Sequence, residues 1–254
     1  MEVRILGCGT STGVPKIGND WGQCDPAEPR NARLRTSILV RSGGQQLLVD
    51  CGPDLRQQLL SAGVSKLDGV IVTHTHGDHC HGIDELRPVA QAIGGPIPIY
   101  ARPDVLAELG ERFGYVFSPS SFYRPIGEAR AIAEEIVVGS ARVRFVDQPH
   151  GGPISLGLRF DEQEKSLGYS IDFSELSDDM AVLYEGVDVW IADCLTRRPH
   201  PTHMNLDQLL GLARDLRVGQ LFLVHMGNGL DYRTLVAELP DWAAPAHDGL
   251  EIAI

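Results

Sequence analysis

The stretch His74-Thr75-His76-Gly77-Asp78-His79 follows residues 69–73, a β-branched apolar run that reads as a buried strand. It packs three histidines and one aspartate into six residues. Imidazole and carboxylate suit zinc, manganese or iron. Four such groups cannot converge from a regular strand or helix. A tight loop at a strand end allows it, and Gly77 supplies the backbone freedom that such a loop needs. The arrangement points to two neighbouring metal ions.

Two ions need more ligands than this loop carries. His150 stands in Gln148-Pro149-His150-Gly151, past an expected strand at 141–146. Asp172 ends Tyr169-Ser170-Ile171, and His225 ends the apolar run 220–224 before Met226-Gly227-Asn228-Gly229. Each sits at a strand end before a turn. Alone, any of the three reads best as a hydrogen-bonded structural residue. Together they supply the three further ligands that a two-metal site requires.

The rest of the chain sets the context. Its 254 residues allow one large core, and 43% hydrophobic with 22% charged residues is ordinary for a globular protein. No apolar run approaches a membrane span. The start Met-Glu-Val-Arg-Ile-Leu-Gly reads as a first strand and not as a signal peptide, which suggests the cytoplasm. A net charge of −12 disfavours nucleic acid, whose binding needs clustered Lys and Arg. The longest basic cluster is Arg30, Arg33 and Arg35. Five scattered cysteines, with no C-x-x-C, indicate neither a disulfide framework nor a zinc ribbon.

Strand-like and helix-like segments alternate. Residues 37–41 and 46–49 read as a hairpin around Ser42-Gly43-Gly44, and 54–62 as a helix closed by Gly63. Strands are expected at 98–101, 136–138, 141–146, 154–160, 165–171, 187–192, 220–224 and 251–254. Helices are expected at 103–113 and at 206–217, the latter strongly amphipathic. Residues 118–125, with Phe122 and Tyr123, read as a substrate-facing loop or, in preference, as a packed connection. Strands without a clean βαβ rhythm suit an α/β fold of two sheets with helices outside, a four-layer αββα sandwich in a single domain over 1–254.

The H-x-H-x-D-H loop, followed in order by His150, Asp172 and His225, resembles the metallo-β-lactamase fold superfamily of hydrolases. The resemblance runs from Gly7-Cys8-Gly9-Thr10-Ser11 to His225. It implies that His74, His76 and His150 hold one metal, that Asp78, His79 and His225 hold the other, and that Asp172 bridges them. Asp78 counts among the catalytic residues as well as the ligands. Asp50 would support the histidine loop without ligating, since ligating imidazoles donate their other N–H to a carboxylate. Asp193 could play a similar part or be structural. Two divalent ions, zinc or manganese first, would generate hydroxide and neutralise phosphate charge. An aspartate at 172 in place of a cysteine favours phosphodiesterase-like members over lactamases.

The opening loop, Gly82-Ile83-Asp84-Glu85-Leu86-Arg87-Pro88 and Thr202-His203-Met204-Asn205-Leu206-Asp207 resemble the phosphoribosyl 1,2-cyclic phosphodiesterase branch. His203 would then be the general acid, facing the N-terminus of the 206–217 helix, with His200 as a second candidate. Some members hold a structural zinc in a cysteine cluster after the opening loop. Here Trp21-Gly22-Gln23-Cys24-Asp25-Pro26 has one cysteine, so no such zinc is expected. The expected partner is a small phosphodiester, and a homodimer is usual for similar proteins. The alternatives are a tRNA 3′-processing endonuclease, a thioester or lactam hydrolase, or a non-enzymatic sensor. The first is disfavoured by the acidic balance and the lack of a long basic insertion.

Overall fold

Apolar residues alternate faces along the first strands, and this sets the layers. The computed structural model describes residues 1–119 and 124–254, so Phe122 and Tyr123 lie outside the described residues. The strands are β1 (Glu2–Gly7), β2 (Ser37–Ser42), β3 (Gln45–Val49), β4 (Gly69–Ile71), β5 (Ile97–Ala101), β6 (Gly127–Ala131) and β7 (Glu135–Val138). They continue as β8 (Ala141–Pro149), β9 (Ile154–Glu162), β10 (Lys165–Ser170), β11 (Val189–Asp193), β12 (Gln220–Val224), β13 (Ala243–Pro245) and β14 (Glu251–Ala253). They form two seven-stranded sheets, ordered β14-β1-β2-β3-β4-β5-β6 and β13-β12-β11-β10-β9-β8-β7.

Ile38, Val40, Leu47, Val49 and Ile71 point inward and share a core with Leu156, Leu158, Phe160 and Tyr169 of the second sheet. Their neighbours Leu39, Leu48 and Val70 point outward onto the helices Leu55–Ser61, Arg87–Ile93 and Pro103–Arg112. In β11 all five residues are buried, because helices Asp178–Tyr184 and Leu206–Asp215 cover its other face. The order is helix, sheet, sheet, helix, as expected from strands without a βαβ rhythm. Each sheet mixes an antiparallel part with a parallel part: β2 pairs antiparallel with β3, whereas β3, β4, β5 and β6 run parallel.

Sequence reading missed β6, β13 and the helices Arg87–Ile93, Asp178–Tyr184 and Tyr232–Glu238. β6 carries four exposed residues at a sheet edge, and β13 has only three residues, so neither shows an apolar period. The expected strand over 69–73 ends at Ile71: Val72 N still donates to Tyr100 O of β5, but Thr73 N turns to the Asp50 carboxylate and Thr73 O accepts from Leu156 N. Among the described residues no helix is long and apolar enough to cross a membrane.

The two sheets are laced together at one end by backbone bonds. Leu156 N donates to Thr73 O at 3.1 Å, and Met226 N donates to Cys8 O at 2.9 Å. Within the first sheet, Cys51 N donates to His79 O and Gly82 N donates to Cys51 O, each at 2.8 Å. That interlock requires glycine at two positions. A β-carbon on Gly52 would overlap the Asp78 carbonyl oxygen, and one on Gly82 would overlap that of Gly52. Gly52→Ala should therefore destabilise the fold by about 1–3 kcal/mol, the usual penalty for overpacking. Thermal unfolding checks it, and an unchanged Tm would show that this backbone contact is soft.

Candidate metal centre

The laced end of the sandwich is where the singled-out side chains meet. His74, His76, Asp78 and His79 leave the end of β4, with Gly77–Cys80 forming one short helical turn. His150 follows β8, Asp172 lies two residues past β10, and His225 follows β12. Three residues here carry left-handed backbone without being glycine: Asp50 at φ 63°, Asp172 at φ 52° and His225 at φ 56°. Such a conformation reverses the chain within one residue and costs about 1–3 kcal/mol. Two serines hold it. Ser37 Oγ lies 2.9 Å from both the Val49 and Asp50 carbonyls. Ser155 Oγ lies 3.0 and 2.7 Å from the Ile171 and Asp172 carbonyls.

Asp172 is the hub. Its Oδ2 lies 3.2 Å from His74 Nε2, 3.3 Å from His150 Nε2, 3.6 Å from His79 Nε2 and 4.0 Å from His76 Nδ1. Its Oδ1 lies 3.3 Å from His225 Nε2. His79 Nε2 is also 3.1 Å from Asp78 Oδ2. Ligand-capable atoms of His74, His76, His150 and Asp172 fall within 4.8 Å of one another, as do those of Asp78, His79 and His225. The sequence proposes these same sets as ligands, and a third such group joins Asp172, His203 and His225. All are buried or half-buried except His76, whose side chain is 45% exposed.

The donor set fits metal ions. His74 Nε2, His79 Nε2 and Asp172 Oδ1 are buried without a hydrogen-bond partner among the described residues. Orphaned polar atoms of this kind are rare and need an explanation. Hydrogen bonding behind the rings directs those atoms inward. Thr73 Oγ1 donates to Asp50 Oδ2 at 3.0 Å, so it accepts from His74 Nδ1–H at 3.0 Å. His79 Nδ1–H donates to Asp50 Oδ2 at 2.8 Å, and His150 Nδ1–H donates to the Thr202 carbonyl at 2.8 Å. In each ring the proton sits on Nδ1, which leaves the Nε2 lone pair for a metal. Burial pushes His150 down to about 4 and His76 below its ordinary value, so both rings are neutral donors near pH 7.

His203 lies at the rim. Its Nδ1–H donates to Asp193 Oδ2 at 2.7 Å and is 3.9 Å from Asp172 Oδ1. Burial pushes His203 down, but the hydrogen bond and charge of Asp193, with Asp172 and Asp78 behind, hold it above its ordinary value. The helix N-terminus that His203 was expected to face is already engaged. Asn205 Oδ1 accepts from Gln208 N at 3.1 Å, and Leu206 N donates to Thr196 O at 3.0 Å. The start of the helix therefore positions this loop, with the Leu206 and Gln208 amides already bonded. His81 is exposed with its ring edge-on to Phe113, and His247 is half-buried beside Tyr232. All five cysteines are free and buried. Sequence reading missed Ser37, Ser155 and Thr202, which act through contacts to or from backbone atoms, and Thr73, whose hydroxyl links Asp50 to His74; no motif displays these contacts.

Comparison with known proteins agrees with this geometry. Residues 45–226 match the family described as Beta-lactamase superfamily domain. A crystal structure of a new diphosphatase from the PhnP family superposes with a TM-score of 0.90 at 33% identity, covering 99% of this chain and 96% of that one. An octanoyltransferase of Porphyromonas gingivalis is 29% identical over 260 residues, which is 100% of this chain and 52% of the relative. The chain thus spans about half the length of that relative, at 52%. A ribonuclease Z of Bradyrhizobium sp. is 45% identical over 60 residues, 23% of this chain and 20% of the relative. The chain belongs to the beta-lactamase superfamily domain family, on the metallo-β-lactamase fold of metal-dependent hydrolases.

Proposed function

We propose that this protein is a dinuclear metal-dependent phosphoesterase that cleaves a small phosphodiester or diphosphate. Cyclic ribose phosphodiesters and diphosphates are the first substrates to try. The observation that carries the reading is Asp172, a buried carboxylate between two groups of inward-facing nitrogens, with the His203–Asp193 pair 3.9 Å from it. His74, His76 and His150 would hold one divalent ion, and Asp78, His79 and His225 the other. Asp172 would contribute to both. Bound ions at such a site lower the pKa of water and neutralise phosphate charge.

The chain's own residues do the rest. Asp50 fixes the tautomers of His74 and His79 and so sets both ligand groups from one carboxylate. His203 holds its proton on Nδ1 toward Asp193, and a second proton on Nε2 gives an imidazolium that the Asp193 charge stabilises. That Nε2–H is the proton for the departing oxygen, a role for an acid placed beside the metals rather than on them. The diphosphatase likeness supports a small phosphate substrate. The ribonuclease Z likeness covers 23% of the chain, and the net charge of −12 speaks against a long polyanion.

Metal analysis of purified protein should give two ions per chain, and Asp172→Ala should lose most of both. Full metal content in that variant would refute its bridging role. His203→Ala should keep its metal and lose roughly 10²–10⁴-fold in kcat, the range for a general acid. Because Asp193 raises the His203 pKa, activity should fall as pH rises through it. Asp193→Asn should move that alkaline limb to lower pH. A limb that stays put would assign the proton elsewhere. Cleavage of pre-tRNA in preference to small diesters under the same metal loading would favour the nuclease reading.

A further inference from the structure

Residues 195–206, Leu-Thr-Arg-Arg-Pro-His-Pro-Thr-His-Met-Asn-Leu, join β11 to helix Leu206–Asp215. In a chain of net charge −12, this connection has two arginines, two histidines and no carboxylate. Its base is closed by Leu195 N donating to Met204 O at 3.1 Å and Leu206 N donating to Thr196 O at 3.0 Å. His200 stands at its exposed tip between Pro199 and Pro201. The proline rings fix φ on both sides, and Pro201 also confines the His200 backbone to extended conformations. An exposed imidazole is ordinarily a free rotor. This one is held.

Thr202 is what holds it. Thr202 N donates to His200 Nδ1 at 3.3 Å, and the Thr202 hydroxyl lies 3.3 Å from the same nitrogen. The Thr202 carbonyl accepts from His150 Nδ1–H. One residue thereby orients a candidate ligand on one side and a rim histidine on the other. Gly151 admits this approach, because a β-carbon there would overlap the Thr202 side chain. A backbone N–H can only donate, so His200 Nδ1 is the acceptor and the neutral ring carries its proton on Nε2. This is the reverse of His74, His79 and His150. Nε2 has no partner among the described residues, and the ring centre lies 5.2 Å from that of His203.

We infer that His200 is a substrate-binding residue whose Nε2–H donates to a non-bridging phosphate oxygen held at the mouth of the centre. The two rim histidines then divide the work. His203 is backed by a carboxylate and can carry the positive charge of an acid. His200 is backed by an amide N–H donor and bonds to no carboxylate among the described residues; burial and the His203 charge push its pKa down against the smaller opposing effect of Asp193. A neutral fixed donor beside an acceptor-only phosphate oxygen binds and positions without transferring a proton.

The inference rests on the phosphoester reading, and the test separates the two. Wild type, His200→Ala, His200→Gln and His203→Ala, each metal-loaded, are assayed on bis(p-nitrophenyl) phosphate and titrated with inorganic phosphate by calorimetry. His200→Ala should raise KM and weaken phosphate binding about tenfold, the worth of one hydrogen bond to a charged group. Its metal content, kcat and alkaline limb should stay close to wild type. His200→Gln, which keeps an N–H donor near that position, should recover most of the affinity. Unchanged KM and phosphate affinity in His200→Ala would overturn the inference, as would a kcat loss matching His203→Ala. If wild type cleaves no phosphoester, the phosphoester reading falls, and the phosphate titration alone still decides His200.

Discussion

A buried carboxylate surrounded by imidazole nitrogens is the constraint on which this structure turns. Asp172 is 2% exposed and would be strongly destabilising there as an isolated charge. Burial pushes its pKa up, yet the surrounding His225, His79 and His74 hold it well below the usual carboxylate range. The same logic binds the partners to it. Nitrogen lone pairs packed so closely are tolerated when something positive lies between them, and divalent ions meet that need while relieving the orphaned atoms.

Holding these groups in place consumes much of the architecture. Three non-glycine residues take left-handed backbone where their strands end. Such strain persists only where the surroundings over-determine it. Here Ser37 and Ser155 clamp the carbonyls on either side of Asp50 and Asp172, and the parallel ladders fix the strands that deliver them. Backbone bonds between Thr73 and Leu156, and between Cys8 and Met226, join the two sheets at this end. Ligands from both sheets thus face one another without depending on a flexible loop.

Control then passes outward through hydrogen bonds. Asp50 sets the proton of His74 through Thr73 and that of His79 directly. Thr202 does the same for His150, and Asp193 for His203. The identity of the group behind each ring decides what the ring can do. A carbonyl, hydroxyl or carboxylate behind Nδ1 leaves the Nε2 lone pair for a metal at His150, His74 and His79, the Asp193 carboxylate supports a cation at His203 beside the metal groups, and an N–H leaves a donor at Nε2 of His200.

The ligand-type residues were legible because metal chemistry demands particular side chains, and a loop as dense as His74–His79 has few other uses. Short apolar, β-branched runs likewise revealed the buried strands, and their lack of a βαβ rhythm pointed to the two-sheet sandwich. What sequence left undecided was every relation made across space. Nothing in the local pattern around Asp193 points to His203, and nothing marks Ser37, Ser155 or Thr202, because their contacts run through backbone atoms that every residue type shares. The short edge elements β6 and β13 were invisible for a related reason, since their placement comes from neighbouring strands and not from their own periodicity. The sequence by itself determined which chemistry the chain carries. The tertiary structure alone decided which nitrogen of His79 and His150 faces the centre, because a tautomer is set by a hydrogen-bond partner, here Asp50 and Thr202, that folding brings from a distant part of the chain.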